Sequence, residues 1–581
     1  MKKLDDMANK LRILSILSTT KAGSGHPTTC MSCAEIISTL FFHELKKEDE
    51  FVLSKGHAAP ILWSVYKEMG IITEKQLMSL RKINSKIEGH PMPPLVNVAT
   101  GSLGQGLSAG VGMAFAQKLK KKGKTYVLLG DSEVAEGSVW EACNSAAYYK
   151  LNNLVAILDA NRLGQTRETM HGHNLKIYKK KFEAFGWETV IIDGHNTDEI
   201  IKALSKAKKS KKPFAIVAKT FKGKGFSEVE NKNGWHGKTF DEETAERAFW
   251  EIPGTNIKLK SNYKLKHPKF KKVDFKINHY KKGDMIATRD AFGKALLSAG
   301  KNKNIMAVDG EVENSTKVEY FAKKYPERRF ESFIAEQNMV GAALGISTQG
   351  YIPVVSTFAT FFTRAYDFIR MAMYSQANIK LVGSHAGVSI GEDGPSQMGL
   401  EDISMLLPLP NTTILYPCDA VSAEVLTKNM INDKGVTYLR TTREKTPVIY
   451  KNSEKFPIGK FKVLKQNKDD TALIIAAGVT VFEALQAHDI LQLDDISVRV
   501  IDLYSIKPLD AKALKQHAKE CMQNVIVVED HYEYGLAAAV SKAVGVSKSL
   551  HVKGIPRSGT AVQLRKLFEI DANAIVKAVK Q

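Results

Sequence analysis

The chain has 581 residues, 44% hydrophobic and 25% charged, the balance of a globular protein with room for three to five domains. No run approaches the roughly 18 consecutive apolar residues of a membrane span, and the opening MKKLDDMANKLRILS carries acids and no apolar h-region, so neither a span nor a secretory signal is expected. Net charge is +21, but lysine runs such as KKKGK (120–124) and KAKKSKK (206–212) are not interleaved with aromatics and no nucleic-acid motif accompanies them. A solvated basic surface is therefore expected rather than a nucleic-acid interface.

Along the chain the first block runs to about residue 251. Its Cys30 and Cys33 form a CxxC with no second pair to complete a zinc site, so they read as small core residues. With only five scattered cysteines, a reducing, cytoplasmic compartment is expected. Glycine-rich ATGSLGQGLSAGVGMAFA (99–116) predicts a turn opening a helix, whose N–H groups suit an anion. TYVLLG (125–130), LVAILD (154–159) and FAIVAKT (214–220) read as strands separated by helical patterns, hence βαβ units and a parallel sheet. Asp131 and Asn161 follow two of these strands, at the carboxyl ends where open α/β sheets bind ligands. A carboxylate, an amide oxygen and a nearby carbonyl, with Leu163 the candidate, are hard donors suited to Mg²⁺ or Ca²⁺.

Residues 252–283 are basic and aperiodic and read as a surface linker. A second block, 284–450, has strand-like runs at 304–310, 352–358, 379–384 and 412–417. A third, 451–581, repeats the grammar at 471–478, 498–506 and 524–530. The expected class is α/β, three consecutive α/β domains with mostly parallel sheets.

G-D-x-x-x-x-E-G followed some 30 residues on by N-x-L resembles the thiamine diphosphate motif. TTKAGSGHPTTCMSCAEI, FVLSKGHAAP, ATGSLGQGL, LGQTRETM, AKTFKGKG, WHGK, IAEQNMVGAALG, STFATFFTRAYD, GEDGPSQMGLEDI and VEDHYEYGL occur in the order found in transketolases. The chain resembles that family nearly from end to end, in its shorter, animal-type branch. The resemblance implies a thiamine diphosphate-binding fold and reversible transfer of a two-carbon ketol unit from a ketose phosphate to an aldose phosphate, in the pentose phosphate pathway. It implies thiamine diphosphate as electron sink, a divalent cation, sugar-phosphate substrates and a homodimer with active sites at the subunit interface.

By the same resemblance Glu336, protonated beside the cofactor's pyrimidine, is the first catalytic candidate, with His26 and His236 handling the proton of the C3 hydroxyl. Asp131, Asn161 and Leu163 hold the metal. Thr29, His57, Gly101, Ser102, Leu103, Ser132, Glu136, Asn161 and Lys222 line the cofactor, and Phe358 and Phe361 enclose its pyrimidine. His90, with His26 and His236, contacts the donor sugar. Asp393 binds a sugar hydroxyl with Gln397 near it, and Arg289, Ser315, His385 and Arg440 hold the phosphate. Glu136 and Glu141 match a pair linking the two sites of a dimer. Ser132 departs from the family's usual glycine; if that position requires φ > 0, serine is strained by about 1–2 kcal/mol. A related thiamine diphosphate enzyme, 1-deoxyxylulose-5-phosphate synthase or dihydroxyacetone synthase, is the nearest alternative, and a non-catalytic basic binder a more distant one.

Overall fold

The computed structural model describes residues 2–581. It divides into two compact units: one comprises residues up to Lys269 with Val340–Gly350 and Tyr374–Gln376, and the other comprises Phe270–Met339, Tyr351–Met373 and Ala377–Gln581.

The first unit is built on β1 (Glu50–Leu53), β2 (Thr125–Gly130), β3 (Leu154–Ala160), β4 (Glu188–Asp193) and β5 (Phe214–Lys219), all parallel in the order β1-β2-β3-β5-β4. Every residue of β2 and β3 is buried, as strands covered on both faces must be. Polar groups can therefore emerge only past their ends. Helix Gly106–Lys120 lies so close to this sheet that a Cβ on Gly110 would stand 2.5 Å from Val127, which accounts for its small residues.

The second unit holds two sheets and a two-stranded ribbon. β6 (Met285–Ala287) pairs antiparallel with β13 (Lys445–Pro447). The larger sheet contains β7 (Ile305–Asp309), β8 (Arg329–Glu331), β9 (Ile352–Phe358), β10 (Lys380–Ser384), β11 (Thr412–Leu415) and β12 (Val436–Arg440), mutually parallel. The smaller has β14 (Lys462–Lys465), β15 (Ala472–Ala476), β16 (Val498–Asp502), β18 (Val525–Val528) and β19 (Lys548–Leu550), parallel but for β14. The expected strand at 498–506 is in fact two. After β16 the chain turns, and β17 (Ser505–Lys507) joins the larger sheet antiparallel to β11, tying the third block to the second.

Between residues 253 and 281 there is neither helix nor strand, as the aperiodic sequence predicts. The segment does not merely lie over the surface, however. Tyr263 is buried in the core of the first unit, and Val273, Phe275 and Tyr280 in that of the second. Single apolar anchors in a lysine-rich stretch produce no periodicity, so the pattern could not reveal them.

All five cysteines are free and buried. Burial pushes the thiol of Cys30 up to about 12 and that of Cys521 up to about 11, and raises Cys33, Cys143 and Cys418 as well. Because the thiolate is the reactive form, an aromatic disulfide reagent at pH 8 is expected to titrate about none of them in the native chain and all five in guanidinium. Fast stoichiometric labelling of the native chain would contradict this packing.

Candidate active site

In the first unit Asp131 follows β2 and Asn161 follows β3, and both side chains border one cavity of about 350 Å³. His26, His57, His90, Gly101, Leu103, Ser132, Leu163, Lys222 and His236 share its wall. Thr29 reaches the same place, its hydroxyl 3.2 Å from His57 Nε2. Gly101 has φ +134°, and a Cβ there would sit 3.0 Å from the His90 ring, so only glycine leaves the wall open. Ser102 is half-buried beside it.

Burial pushes Asp131 up to about 6, with Asp159 adding to the effect, although the N–H of Arg162 donates to it at 2.6 Å and that of Ser132 at 3.0 Å. The hydroxyl of Thr169 also donates to it at 3.2 Å, and Lys222 and Lys55 partly offset the burial. Asn161 Oδ1 accepts from the N–H of Leu163 at 3.2 Å, and the Leu163 carbonyl accepts from Lys222 Nζ at 2.7 Å. Lys222 also lies 2.6 Å from His236 Nδ1, and burial together with Lys55 pushes it down to about 7.

The four imidazoles form one cluster. His26 lies 5.4 Å from His57, 5.3 Å from His236 and 6.3 Å from His90, and His57 stacks on His236 at 5.1 Å. Burial, then Arg81, lowers His26 to about 4; burial, then Lys222, lowers His236 to about 3. His57 and His90 are lowered by burial too. All four are therefore neutral at pH 7, each with a nitrogen able to accept a proton or a hydroxyl hydrogen. Among the described residues Nδ1 of His26 is buried without a partner. A buried ring nitrogen without a protein partner is a group whose hydrogen bonding a ligand could complete.

Ser132 has φ −66° and ψ −38°, ordinary right-handed backbone. The strain considered from the sequence does not arise. Glu136 stands exposed just before helix Gly137–Tyr148, its side chain making no capping hydrogen bond, with Glu141 half-buried on that helix.

The other predicted residues belong to the second unit. Glu336 is buried at the start of its helix, and its carboxyl stands 3.4 Å from the largely exposed Arg364. Phe358 and Phe361 are half-buried and stacked at 5.3 Å, and Phe358 stacks on His385 at 3.8 Å. Arg289 Nη1 donates to the Ser315 carbonyl at 3.1 Å and lies 3.3 Å from His385 Nε2. Burial and Arg289 push His385 down to about 3. Nε of Arg289 is buried and unpartnered among the described residues. Asp393 pairs with Arg443 at 2.7 Å, and Gln397 ends the adjoining turn Pro395–Gln397.

Arg440 does not join this group. It is the last residue of β12, wholly buried, with Nε on Asp402 and Nη1 on Asp530, both at 2.9 Å. All three of its side-chain nitrogens are engaged within the core, so the expected phosphate contact is corrected to a structural one. Arg443, three residues on, is the arginine that stands with Asp393, and its charge acts on both Arg289 and His385. Its signal was available: like Asp131 and Asn161, it lies beyond the strand end rather than within the strand. Sequence reading also missed Glu133, which accepts from Ser54 and from the N–H groups of Gly104 and Gly130, each of the latter at 2.9 Å, and so pins the glycine-rich turn to the end of β2. Lys55 and Asp159, a buried ion pair beneath Asn161, were missed as well.

With this geometry described, comparison with known proteins is decisive. Residues 4–256 match the model of the transketolase thiamine diphosphate binding domain, 284–448 that of the transketolase pyrimidine binding domain, and 459–575 that of the transketolase C-terminal domain. Human transketolase is 48% identical, across 100% of this chain and 97% of that protein; mouse transketolase-like protein 2 is 48% identical across 99% and 97%. The chain belongs to the transketolase family. The crystal structure of transketolase from Campylobacter jejuni superposes with a TM-score of 0.90 at 26% identity, covering 100% of this chain and 99% of that one. A transketolase from Pichia stipitis in complex with sedoheptulose 7-phosphate shares the fold, at a TM-score of 0.85 and 22% identity over 100% and 97%.

Two outcomes are expected. Arg440→Ala leaves Asp402 and Asp530 buried without their partner, so it destabilises by about 3–5 kcal/mol, read as a large fall in Tm; a variant of unchanged Tm would contradict the structural role assigned to Arg440. Ser132→Gly keeps the affinity for thiamine diphosphate within about twofold, there being no left-handed strain to relieve; a tightening of fivefold or more by calorimetry would contradict the observed backbone.

Proposed function

We propose that the chain catalyses reversible ketol transfer between phosphorylated sugars, for example from xylulose 5-phosphate to ribose 5-phosphate, using thiamine diphosphate and a divalent cation. The observation that carries this reading is the cluster of four neutral imidazoles beside the buried Asp131. Asp131, Asn161 and the Leu163 carbonyl would hold the cation, while Lys222, His57, Thr29 and residues 101–103 would hold the diphosphate end. When bound, the cofactor supplies the electron sink that side chains lack.

The chain's own residues do the remainder. Neutral His26 and His236 are placed to accept the proton of a donor's C3 hydroxyl as the carbon–carbon bond breaks, and His90 to accept a hydrogen bond from a further hydroxyl. Glu336 would hydrogen-bond the cofactor's pyrimidine, and Phe358 and Phe361 would form the apolar wall beside it. Arg289, Ser315, His385 and Arg443 would hold the phosphate, and Asp393, paired with Arg443 at 2.7 Å, would accept from a sugar hydroxyl. The orphaned Nε of Arg289 supports this reading. We infer a homodimer in which the Asp131 half-site of one copy is completed by the Glu336 half-site of the other. Phe333 and Ile334, 39% and 70% exposed immediately before Glu336, support such a covered surface.

The test is formation of sedoheptulose 7-phosphate by the purified chain with thiamine diphosphate and Mg²⁺. Glu336→Gln is expected to lower turnover by about 100-fold or more while calorimetric cofactor affinity changes less than about threefold, since an amide cannot donate the acid proton. Near-normal turnover in this variant would remove Glu336 from the chemistry. Arg443→Ala is expected to raise KM for the phosphorylated donor by roughly 10-fold and to spare the unphosphorylated donor hydroxypyruvate. Equal losses for both donors would show that no phosphate is held there.

A further inference from the structure

The third block carries none of the catalytic groups above, yet it touches the phosphate half-site at three places. First, Arg440 at the end of β12 donates to Asp530 Oδ1 at 2.9 Å, to Asp402 Oδ2 at 2.9 Å, and to the Gly399 carbonyl at 2.8 Å. Tyr416 adds a hydrogen bond to Asp530 at 2.9 Å. Asp530 thereby abuts the turn after His385 so tightly that a Cβ on Gly387, at φ +75°, would come within 1.8 Å of its carboxylate. Second, the loop ending in Asp393 lies directly on residues 558–561. A Cβ on Gly391 would be 3.0 Å from the Gly559 carbonyl, and one on Gly394 2.9 Å from Ser558 Oγ. Third, Arg565 grips Glu444 with two parallel bonds of 2.6 and 3.0 Å, and Glu444 is the neighbour of Arg443.

Arg443 and Asp393 have side chains about 40% exposed. Long exposed side chains do not position themselves; their backbone supports decide where the charges stand. Here those supports are tied to the third block, by Asp530 on the buried Arg440 of the second block and by the bidentate pair of Arg565 with Glu444, the most directional of ionic contacts.

We propose that the C-terminal block is the template of the phosphate half-site, with Arg565 a positioning residue that places Arg443 through Glu444 and so sets the preference for phosphorylated over unphosphorylated donors. The inference rests on the sugar-phosphate reading above. It assigns the block a part in substrate selection rather than in the chemical step.

The experiment uses the full-length holoenzyme and compares KM and kcat for xylulose 5-phosphate and hydroxypyruvate. Arg565→Met is expected to raise KM for the phosphorylated donor by roughly 5-fold or more, with kcat, KM for hydroxypyruvate and thiamine diphosphate affinity each within about twofold. Arg565→Lys should fall between this variant and the parent. Glu444→Gln weakens the same contact from its more exposed end and reproduces the effect, so it carries the test should Arg565→Met fail to fold. If both donors shift alike, or neither shifts, the inference is overturned. Arg443→Ala separates the two levels. Should it spare the phosphorylated donor, the sugar-phosphate reading fails; should it act while the Arg565 and Glu444 variants do not, only the template fails.

Discussion

The first half-site hangs on one carboxylate. Asp159 is wholly buried near the end of β3 and accepts from Lys55, from Ser32 at 2.6 Å, from Thr220 and from Asn161 at 3.2 Å. Each donor stands on a different segment, and each segment delivers a site residue close by: His26 and Thr29 ahead of Ser32, His57 after Lys55, Leu163 after Asn161, Lys222 after Thr220. Burial drives Asp159 up, but Lys55 and the hydrogen bonds outweigh it and hold the group below the usual carboxylate range. An ion pair so enclosed is costly to break, because either partner alone would be an uncompensated charge in the core. Its value is in bringing four loops to one place.

The second unit solves the same problem with the opposite charge at the centre. Arg440 is the buried cation, and Asp402, Asp530 and the Gly399 carbonyl are drawn to it. The cavity of the first unit is faced by four histidines lowered by burial and by the charged groups Lys55, Asp131 and Glu133, with Lys222 lowered to about 7.

Much of this was legible in the sequence. β2 and β9 coincide with the apolar runs that predict them, and β3, β5, β10 and β18 stand within two residues of theirs, because a strand buried on both faces must be continuously apolar. Short or half-exposed strands such as β4, β8 and β14 have no such run and could not be read. The anchors of the 252–283 segment were hidden for a related reason, being isolated apolar residues whose burial depends on a partner distant in the chain.

The sequence by itself determined which chemical groups are present and that they fall at strand ends, since a strand buried on both faces releases polar side chains only where it stops. It could not decide between Arg440 and Arg443, two arginines in one short motif. That choice depends on where Asp402 and Asp530 lie, 38 and 90 residues away from Arg440, and a contact of that range leaves no local pattern. Nor could it decide the backbone at Ser132, whose φ is set by the turn into the segment Glu133–Ala135 and by the buried Glu133 carboxylate that holds it. Tertiary structure decided both, because burial and charge pairing are properties of the folded neighbourhood rather than of the residue.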